Sequence, residues 1–402
     1  MQVSVRTSLG VLSAALATVF VALTLAPPGL RAQDEHLEIA KRVLSSVPMF
    51  DGHNDLPWAI RNADPPMDVR AYDISKPTQG HTDLARLRAG GVGAQFWSVY
   101  VPASVMEEGG GARMQLEQID IAHQIISDHR EDLGLAVTAA EVMGQFHRGK
   151  VASMLGIEGG HAIENSLGAL RAFYHLGVRY MTLTHSANID WADSCCEAAE
   201  FGGLTAFGEE VVREMNWLGM LVDISHVSPE SMHDALDVAE APVIFSHSSA
   251  RGVTDHPRNV PDDVLRRLPE NGGVVMVTFV ESFVNQAVAD YSGPPEGRPR
   301  ATMADVVAHI EHVRAVAGIE HVAIGGDFDG IDRGPVGLAD VSTYPALFAE
   351  LSRRGWTESE LRALAADNLL RVMRASEATA RRLQAERGPS TATIQGLDGL
   401  VP

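Results

Sequence analysis

The sequence DGHND at residues 51–55 carries the strongest local signal for chemistry in the chain. In an extended backbone, residues two apart point to the same side, so His53 and Asp55 can present an imidazole and a carboxylate to one metal ion. A mixed set of nitrogen and oxygen ligands without thiolate favours zinc, and manganese or iron would also suit such a site. The spacing therefore predicts one part of a zinc site.

Glu158 is a candidate for a ligand shared between two ions. It lies in GIEGGH, residues 156–161, where glycines allow close approach of the backbone, and its carboxylate has two oxygens with which to bridge. His226 and His247 would complete the second ion, which gives five predicted ligands and two zinc ions per chain. We expect the neighbouring His161 to make a backbone contact or to support the ligands from behind.

Reactive side chains recur at one kind of position, the C-terminal end of a short apolar run. A single histidine at such a point more often caps a backbone carbonyl than binds a metal. Several together indicate a site, because buried charges need partners or metal ions and because strand ends converge on one face of a closed barrel. The side chains at these ends are His53, Asp55, Glu158, His185, His226, His247 and Asp327.

The apolar runs alternate with helical patterns from residue 48 onward, an arrangement typical of βαβ units and a parallel sheet. Eight runs divide the chain evenly, which favours an α/β fold with a single (β/α)8 TIM-type barrel over an open doubly wound sheet. A helical pattern at residues 357–375 follows the eighth run and predicts a C-terminal helical extension. The predicted strands are 48–53, 92–100, 151–158, 178–185, 220–226, 242–247, 273–279 and 322–327.

The N-terminus has the pattern of a secretory signal peptide. Arg6 supplies a positive charge, residues 11–26 form an apolar segment, and Ala32 ends a small-residue cleavage site. We expect export to the periplasm or the medium, a signal peptide over residues 1–32, and one barrel domain over residues 33–402 without a stable membrane span. An uncleaved N-terminal anchor is the alternative, since the apolar segment approaches the length of a span.

Composition narrows the classes of function. The chain has 32 Lys and Arg against 52 Asp and Glu, a formal net charge of -20, which disfavours nucleic acid and anionic membrane surfaces as partners. Hydrophobic residues make up 45% of it, enough for a sizeable core. The two cysteines, Cys195 and Cys196, are adjacent and could bridge each other only with strain, so we expect no structural disulfide.

The motifs, taken in order over residues 36–377, closely resemble those of the membrane dipeptidase, or renal dipeptidase, family of metallopeptidases. This resemblance implies a (β/α)8 barrel of the metal-dependent hydrolase type, two zinc ions, a homodimer, and dipeptides as substrates, with L,D-dipeptides and β-lactam amide bonds as further candidates. The absence of any Asn-x-Ser/Thr sequon favours a bacterial-type member. The motifs are DGHNDLPW (51–58), IEGGHAIENSLGALR (157–171), RYMTLTHS (179–186), DISHVS (223–228), PVIFSHSSA (242–250), RNVPDD (258–263) and GGDFDG (325–330).

Residue by residue, the resemblance implies the same five metal ligands, with Glu158 as the catalytic bridge, and three further roles. His185 would contact the substrate carbonyl and stabilise the oxyanion. Arg258 would hold the C-terminal carboxylate of the substrate. Asp327 would be the general acid and base. It would take a proton from the water that becomes the metal-bridging hydroxide and pass that proton to the leaving amine.

Two departures from the family pattern limit the transfer. Ala103 and Ala187 stand where vertebrate members carry cysteines, so their disulfide is absent here. Phe283 stands where a vertebrate tyrosine would fall, which removes one possible polar contact with the substrate.

Two other functions compete with a dipeptidase. Another barrel hydrolase with two metals, such as a deacylase of N-acyl amino acids or a lactonase, would share the ligands without requiring a free α-amine on the substrate. A zinc-binding protein without catalysis is the second alternative. The presence of both His185 and Asp327 argues against loss of catalysis.

Overall fold

The computed structural model describes residue 2 and residues 28–400. Most of the predicted signal peptide, residues 1–32, lies outside the described residues, and residues 28–32 belong to the first helix. None of the described helices is both long enough and apolar enough to cross a membrane.

The described chain contains a closed ring of eight parallel strands. Each strand pairs with its two neighbours in the order β1-β2-β4-β5-β6-β7-β8-β9, and β9 pairs back to β1 through Asp51 and Ile324. The (β/α)8 barrel predicted from the alternating pattern is therefore confirmed, and the open sheet is excluded. The strands are β1 Met49–Asn54, β2 Val92–Ser98, β3 Leu133–Leu135, β4 Val151–Glu158, β5 Val178–Thr182, β6 Leu221–Asp223, β7 Ile244–Phe245, β8 Val274–Val277 and β9 Val322–Ile324.

One strand, β3, was not predicted and lies outside the ring. Strand β5 pairs with β4 only from Leu155 onward, so the first residues of β4 have an open edge. Strand β3 covers this edge, with Leu133 opposite Val151. A three-residue strand gives too short a pattern to be separated from the loop around it.

Helical segments follow the barrel strands and surround them. Several begin at a side-chain cap: Ser166 accepts a hydrogen bond from the Ala169 amide, and Ser228 accepts one from the Ser231 amide. The longer helices are α1 Pro28–Ser46, α2 Gly111–Asp128, α3 Ala139–His147, α4 Leu167–His175, α5 Ala206–Leu218, α6 Pro229–Val238, α7 Met303–Ala317, α8 Tyr344–Arg353 and α9 Asn368–Glu386. The shorter ones are Leu56–Arg61, Val69–Tyr72, Leu84–Ala89, Val105–Glu108, Asp262–Leu265, Leu268–Asn271, Glu281–Val284, Gln286–Ala289, Glu358–Arg362 and Ile394–Asp398.

The C-terminal extension is present, although it is divided more finely than its pattern predicts. The predicted helix 357–375 forms the short helix Glu358–Arg362, a π-helical turn over Ala363–Asp367 and the start of α9. Further along, the Asp398 carboxylate accepts hydrogen bonds from the Thr205 hydroxyl and the Phe207 amide at the start of α5. The tail is thereby fastened to the barrel wall.

The core of the molecule is the inside of the barrel and the layer between barrel and helices. Every residue of β2 and β4 is buried, as expected for parallel strands covered on both faces. One continuous hydrophobic cluster includes buried residues from Ala40 to Ile394. The strands are therefore held rigidly, and their C-terminal ends form a stable rim on which loops can place side chains.

Candidate active site

The predicted site residues meet at the C-terminal rim of the barrel. His53 is in β1 and Glu158 is the last residue of β4. The other histidines and Asp327 come two or three residues after the ends of their strands, and Arg258 lies in the loop that follows β7. A cavity of about 300 Å³ opens at this rim, a size at the lower end of the range for small-molecule sites. Its lining is Asp55, Trp58, Tyr100, Glu158, His185, His226, His247, Arg258, Val280, Phe283, Asp327, Gly330 and Ile331.

Glu158 lies at the centre of this group, with a different neighbour set at each carboxylate oxygen. Its Oε1 lies 3.1 Å from Nε2 of His226 and 3.2 Å from Nε2 of His247. Its Oε2 lies 3.5 Å from Nε2 of His53 and accepts a hydrogen bond from the Ser98 hydroxyl at 3.3 Å. One oxygen therefore faces each half of the predicted ligand set, which is the arrangement that a bridging carboxylate requires.

The first half of the set is built around His53. Its Nε2 is buried and has no hydrogen-bond partner among the described residues, yet it lies 3.3 Å from Oδ2 of Asp55. Its Nδ1 is 2.8 Å from the Tyr180 hydroxyl, which holds the ring in place. A buried nitrogen that faces carboxylate oxygens without a partner is what a metal ligand looks like from the protein side.

The second half consists of two imidazoles that face each other. Nε2 of His226 and Nε2 of His247 lie 2.8 Å apart, and both face the same oxygen of Glu158. The ligand atoms of these three side chains lie within 4.8 Å of one another, and so do those of His53, Asp55 and Glu158. The donor set of three imidazoles and two carboxylates fits two zinc ions, one at each cluster.

The protonation states of the site agree with this fit. Burial opposes the charged form of Glu158, but electrostatic interactions with His53 and His185 and hydrogen bonds from His226 and His247 hold the pKa of its carboxyl well below its usual value. Burial holds the pKa values of His226 and His247 well below the usual histidine value. An ionised carboxylate and neutral imidazoles are the forms that bind metal.

The pKa of His53 is shifted in the opposite direction, and the cause of this shift also favours binding of a cation. Burial alone would lower its pKa, but Tyr180 and the carboxylates of Glu158 and Asp55 raise that pKa well above its usual value. The same negative charge that attracts a proton to the ring attracts a metal ion.

Asp327 belongs to the same cluster but stands apart from the five ligands. One of its oxygens lies within 4.8 Å of ligand atoms of His53 and His247, and its side chain lines the cavity. Burial, together with the nearby carboxylates of Asp55 and Glu158, raises the pKa of Asp327 well above its usual value. A carboxyl group that can hold a proton here is suited to proton transfer, and a place in the metal coordination is also within reach.

The backbone at two of these residues is strained. His226 and Asp327 both have left-handed conformations, with φ of 68° and 62°, although neither is glycine. Such conformations cost free energy and persist where a side chain must be aimed at a site.

His185 is the most exposed of the cavity histidines, with 21% of its side chain accessible. Its Nε2 lies 3.7 Å from Oε1 of Glu158, and its ring stacks on that of His226 at 4.4 Å between centroids. Burial lowers its pKa despite the neighbouring Glu158, so the ring is neutral at physiological pH. A neutral imidazole at the open side of the cluster can donate one N–H toward a bound molecule.

Arg258 is buried, and no described carboxylate forms an ion pair with it. Only 3% of the residue is exposed, and its guanidinium donates to the Ser248 hydroxyl and to the His247 carbonyl. Its Nε has no hydrogen-bond partner in the part of the chain that the structure describes, and the guanidinium carbon lies 5.2 Å from the centre of the Phe283 ring. A surface ion pair is excluded, and a buried cation at the cavity wall calls for an anionic ligand.

Sequence reasoning missed three aromatic residues of the site. Trp58 and Tyr100 line the cavity and pack edge to face at 4.8 Å, and Tyr180 supports His53. Tyr100 follows the end of β2, so the strand-end criterion could have found it. Tyr180 lies inside a strand, where a pattern of burial gives no indication of what the hydroxyl touches.

His161, in contrast, is placed as expected. Its Nε2 bonds the Val101 carbonyl at 2.9 Å, and it does not line the cavity. This is the backbone contact predicted for it.

With this geometry described, the chain can be compared with known proteins. The family model for membrane dipeptidases, peptidase family M19, matches residues 37–387. Dipeptidase verJ of Clonostachys rogersoniana is 43% identical over 350 residues, which cover 85% of this chain and 87% of that protein.

Solved structures give the same result. A metallo peptidase from Rhodobacter sphaeroides, liganded with a phosphinate mimic of the dipeptide L-Ala-D-Ala, is 28% identical with a TM-score of 0.71, covering 82% of this chain and 99% of that one. The probable dipeptidase PvdM from Pseudomonas aeruginosa shares the fold at 20% identity with a TM-score of 0.77, covering 86% of this chain and 100% of that one.

Proposed function

The chain belongs to the membrane dipeptidase family, peptidase family M19, and from this membership we propose that it hydrolyses dipeptides at a site that holds two zinc ions. The observation that carries the proposal is the position of Glu158, whose Oε2 lies nearest His53 while its Oε1 lies nearest His226 and His247. A buried guanidinium without an acidic partner lies on the wall of the same cavity.

In this proposal the five predicted ligands divide between the two ions. His53 and Asp55 would hold one ion, His226 and His247 would hold the other, and Glu158 would be shared by both. The unpartnered Nε2 of His53 and the facing Nε2 atoms of the other two histidines support the assignment.

When bound, two zinc ions supply Lewis acidity and make a water acidic enough to act as a nucleophile near neutral pH. The chain's own residues carry the remaining work. His185 donates its N–H to the oxygen of the scissile carbonyl as negative charge develops there, a contribution of about 3 to 4 kcal/mol for one such donor. Asp327 accepts the proton of the attacking water and delivers it to the leaving amine.

Arg258 selects the substrate. Its planar fork lines the cavity and can hold a carboxylate through two hydrogen bonds. Phe283 packs against the guanidinium, so this wall offers charge and an apolar surface but no phenol hydroxyl. Asp55 and Asp327 line the same cavity and offer acidic groups that can receive a free α-amine. Short zwitterionic peptides fit both ends.

A comparison of four substrates tests the proposal. Zinc-replete protein is given L-Ala-L-Ala, L-Ala-D-Ala, N-acetyl-L-Ala-D-Ala and L-Ala-D-Ala amide, with release of free alanine as the measurement. We expect both free dipeptides to be cleaved, and both blocked forms to be at least about tenfold slower, because each leaves a buried charge unpaired. L-Ala-D-Ala is included because the Rhodobacter relative was solved with a mimic of that dipeptide. A carbapenem is added as a fifth substrate to test for β-lactam opening.

The same assay separates the rival functions when released acetate is measured beside alanine and a lactone is added as a further substrate. A deacylase of N-acyl amino acids would cleave the acetylated peptide at its acetyl group at least as fast as it cleaves a free dipeptide, and a lactonase would leave every peptide intact. A zinc-binding protein without catalysis would cleave none of the substrates while retaining its metal.

Three further proposals concern the whole chain. Residues 1–32 act as an export signal to the periplasm or the medium, residues 33–402 form one barrel domain, and the active form is a homodimer. The continuous hydrophobic cluster from Ala40 to Ile394 supports a single domain. Mass spectrometry of the mature protein and light scattering test the cleavage site and the oligomeric state.

A further inference from the structure

The two cysteines of the chain lie side by side on the loop that joins β5 to α5, the loop on which His185 also lies. The Sγ atoms of Cys195 and Cys196 are 2.9 Å apart, and both thiols are free. Cys196 is exposed and Cys195 is half-buried. Neither residue has a role in the proposed hydrolysis.

The backbone around this pair is bonded to two site residues. The Cys195 amide donates to the His226 carbonyl at 2.7 Å. The Cys196 amide donates to the Ser194 hydroxyl at 3.2 Å, and that hydroxyl donates to the His185 carbonyl at 2.7 Å. The peptide between the two cysteines is therefore linked, through Ser194, to the backbone of His185.

We propose that Cys195 and Cys196 form a modification site, at which a low-molecular-weight disulfide reversibly oxidises the adjacent thiols to a vicinal disulfide and thereby lowers turnover. A disulfide between adjacent cysteines closes a small ring that includes their shared peptide bond. The ring is strained, because consecutive Cα atoms are closer together than an ordinary disulfide requires. The peptide must rotate to form it. Rotation displaces the Cys196 amide from Ser194, and the support of the His185 carbonyl changes with it.

The chemistry is two successive thiol–disulfide exchanges. The exposed Cys196 thiolate attacks one sulfur of R–S–S–R, which forms a mixed disulfide and releases RS⁻. The Cys195 thiolate then attacks the Cys196 sulfur, which forms the Cys195–Cys196 bond and releases the second RS⁻. The two thiol protons pass to the two leaving thiolates, so the cysteine pair loses two electrons and R–S–S–R is reduced to two RSH. Because the product is strained, thiols reduce it readily, and the modification is reversible.

The test uses 2,2′-dithiodipyridine on the reduced, zinc-replete full chain. We expect two molecules of pyridine-2-thione per chain, an intact mass lower by two hydrogen atoms, and at least about a tenfold fall in kcat that dithiothreitol reverses. The Cys195→Ser/Cys196→Ser double variant should keep the wild-type kcat before and after treatment. Cys196→Ala provides a second variant at the exposed position and should release at most one thione, with no ring formed.

Two results overturn the proposal. One is a stable mixed disulfide on the wild type, seen as an added pyridylthio mass without loss of two hydrogens. The other is formation of the vicinal disulfide with no change in kcat. The thione count and the mass do not depend on the proposed dipeptidase activity, so a failure of that activity would be distinguished from a failure of the modification.

Discussion

At the scale of single residues, the site is defined by polar groups that the protein alone leaves without partners. Nε2 of His53 and Nε of Arg258 are buried without a hydrogen-bond partner among the described residues. The half-buried Asp327 lines the same cavity as Arg258. Each costs free energy in the absence of a ligand, because desolvation of a polar group is not offset. This geometry supports the proposed metal ions and charged substrate, and removing one of these groups should affect one step.

Asp327→Asn tests the assignment of proton transfer. The amide keeps the size of the side chain but cannot accept the proton of the attacking water, so kcat should fall by about two to four decades with zinc content unchanged. Asp332→Asn, an exposed position five residues along the same loop, is the matched control and should retain wild-type kcat. If the Asp327 variant also loses zinc, the residue belongs to the coordination shell; near-normal turnover would remove it from the mechanism.

Arg258→Lys tests the carboxylate contact. An ammonium is a point charge and cannot form the two-pronged contact, so kcat/KM for a free dipeptide should fall by about 10- to 100-fold. The same substitution should change kcat/KM for the C-terminal amide far less, because the amide lacks the carboxylate that Arg258 would bind. Equal losses on both substrates would show that Arg258 acts through packing instead.

At the scale of elements, the strands position the predicted ligands, and neighbouring side chains fix the rotamers of those ligands. The His53 ring from β1 is held by the Tyr180 hydroxyl from β5. His247, after β7, has its Nδ1 2.8 Å from the Ser246 hydroxyl, which in turn donates to the Asp223 carboxylate of β6. Such second contacts orient the rings and sustain metal affinity.

Tyr180→Phe removes the support of His53 while keeping the ring in the core. Zinc affinity, measured by competition with a chelator, should fall by about 10- to 100-fold. Tyr344→Phe is the matched control, since the Tyr344 hydroxyl donates to the buried Asp51 carboxylate and touches no predicted ligand. It should lower stability and leave zinc affinity near that of the wild type; equal affinity in both variants would contradict the role of Tyr180.

His309 on α7 gives a prediction for pH. Its buried ring accepts the Ala250 amide at Nδ1 and contacts the Val284 carbonyl through Nε2, and burial lowers its pKa to about 4. The unfolded chain binds the proton more tightly, so stability is lost as pH falls from about 6.5 toward 4, by about 2 kcal/mol near pH 5. His309→Gln should reduce this loss in denaturant titrations, and exposed His147→Gln should not; identical acid profiles for the wild type and the His309 variant would contradict it.

Some elements of the fold could be predicted from the sequence and others could not. The barrel and the positions of the ligands were predictable, because buried parallel strands give continuous apolar runs and their ends meet at one rim. Strand β3 could not be predicted, because three residues are too few to show a periodic pattern. The π-helical turn within 357–375 could not be predicted either, because it leaves the apolar pattern unchanged. The Tyr180 contact depends on two strands distant in the chain, and periodicity in one segment contains no information about it.

At the scale of the whole molecule, a single core supports an acidic surface around a cavity that contains a buried cation. The formal net charge of -20 disfavours polyanions as partners, while the cation of Arg258 lies at the cavity wall, where we propose that it binds the substrate carboxylate. Metal binding should also stabilise the fold, because the ions bind the folded chain more tightly than the unfolded one. If the proposed metal site is right, activity and stability both depend on the same five predicted ligands.

The central claim is that hydrolysis requires two metal ions joined by Glu158, and a zinc titration of the metal-stripped chain tests it most directly. The initial rate of L-Ala-D-Ala hydrolysis is measured as zinc is added in known equivalents, beside the Glu158→Gln variant as a control. The account predicts no turnover without metal, a rise that ends at two equivalents per chain, and weak binding of both ions in the variant. Full activity at one equivalent, or turnover without zinc, would contradict it.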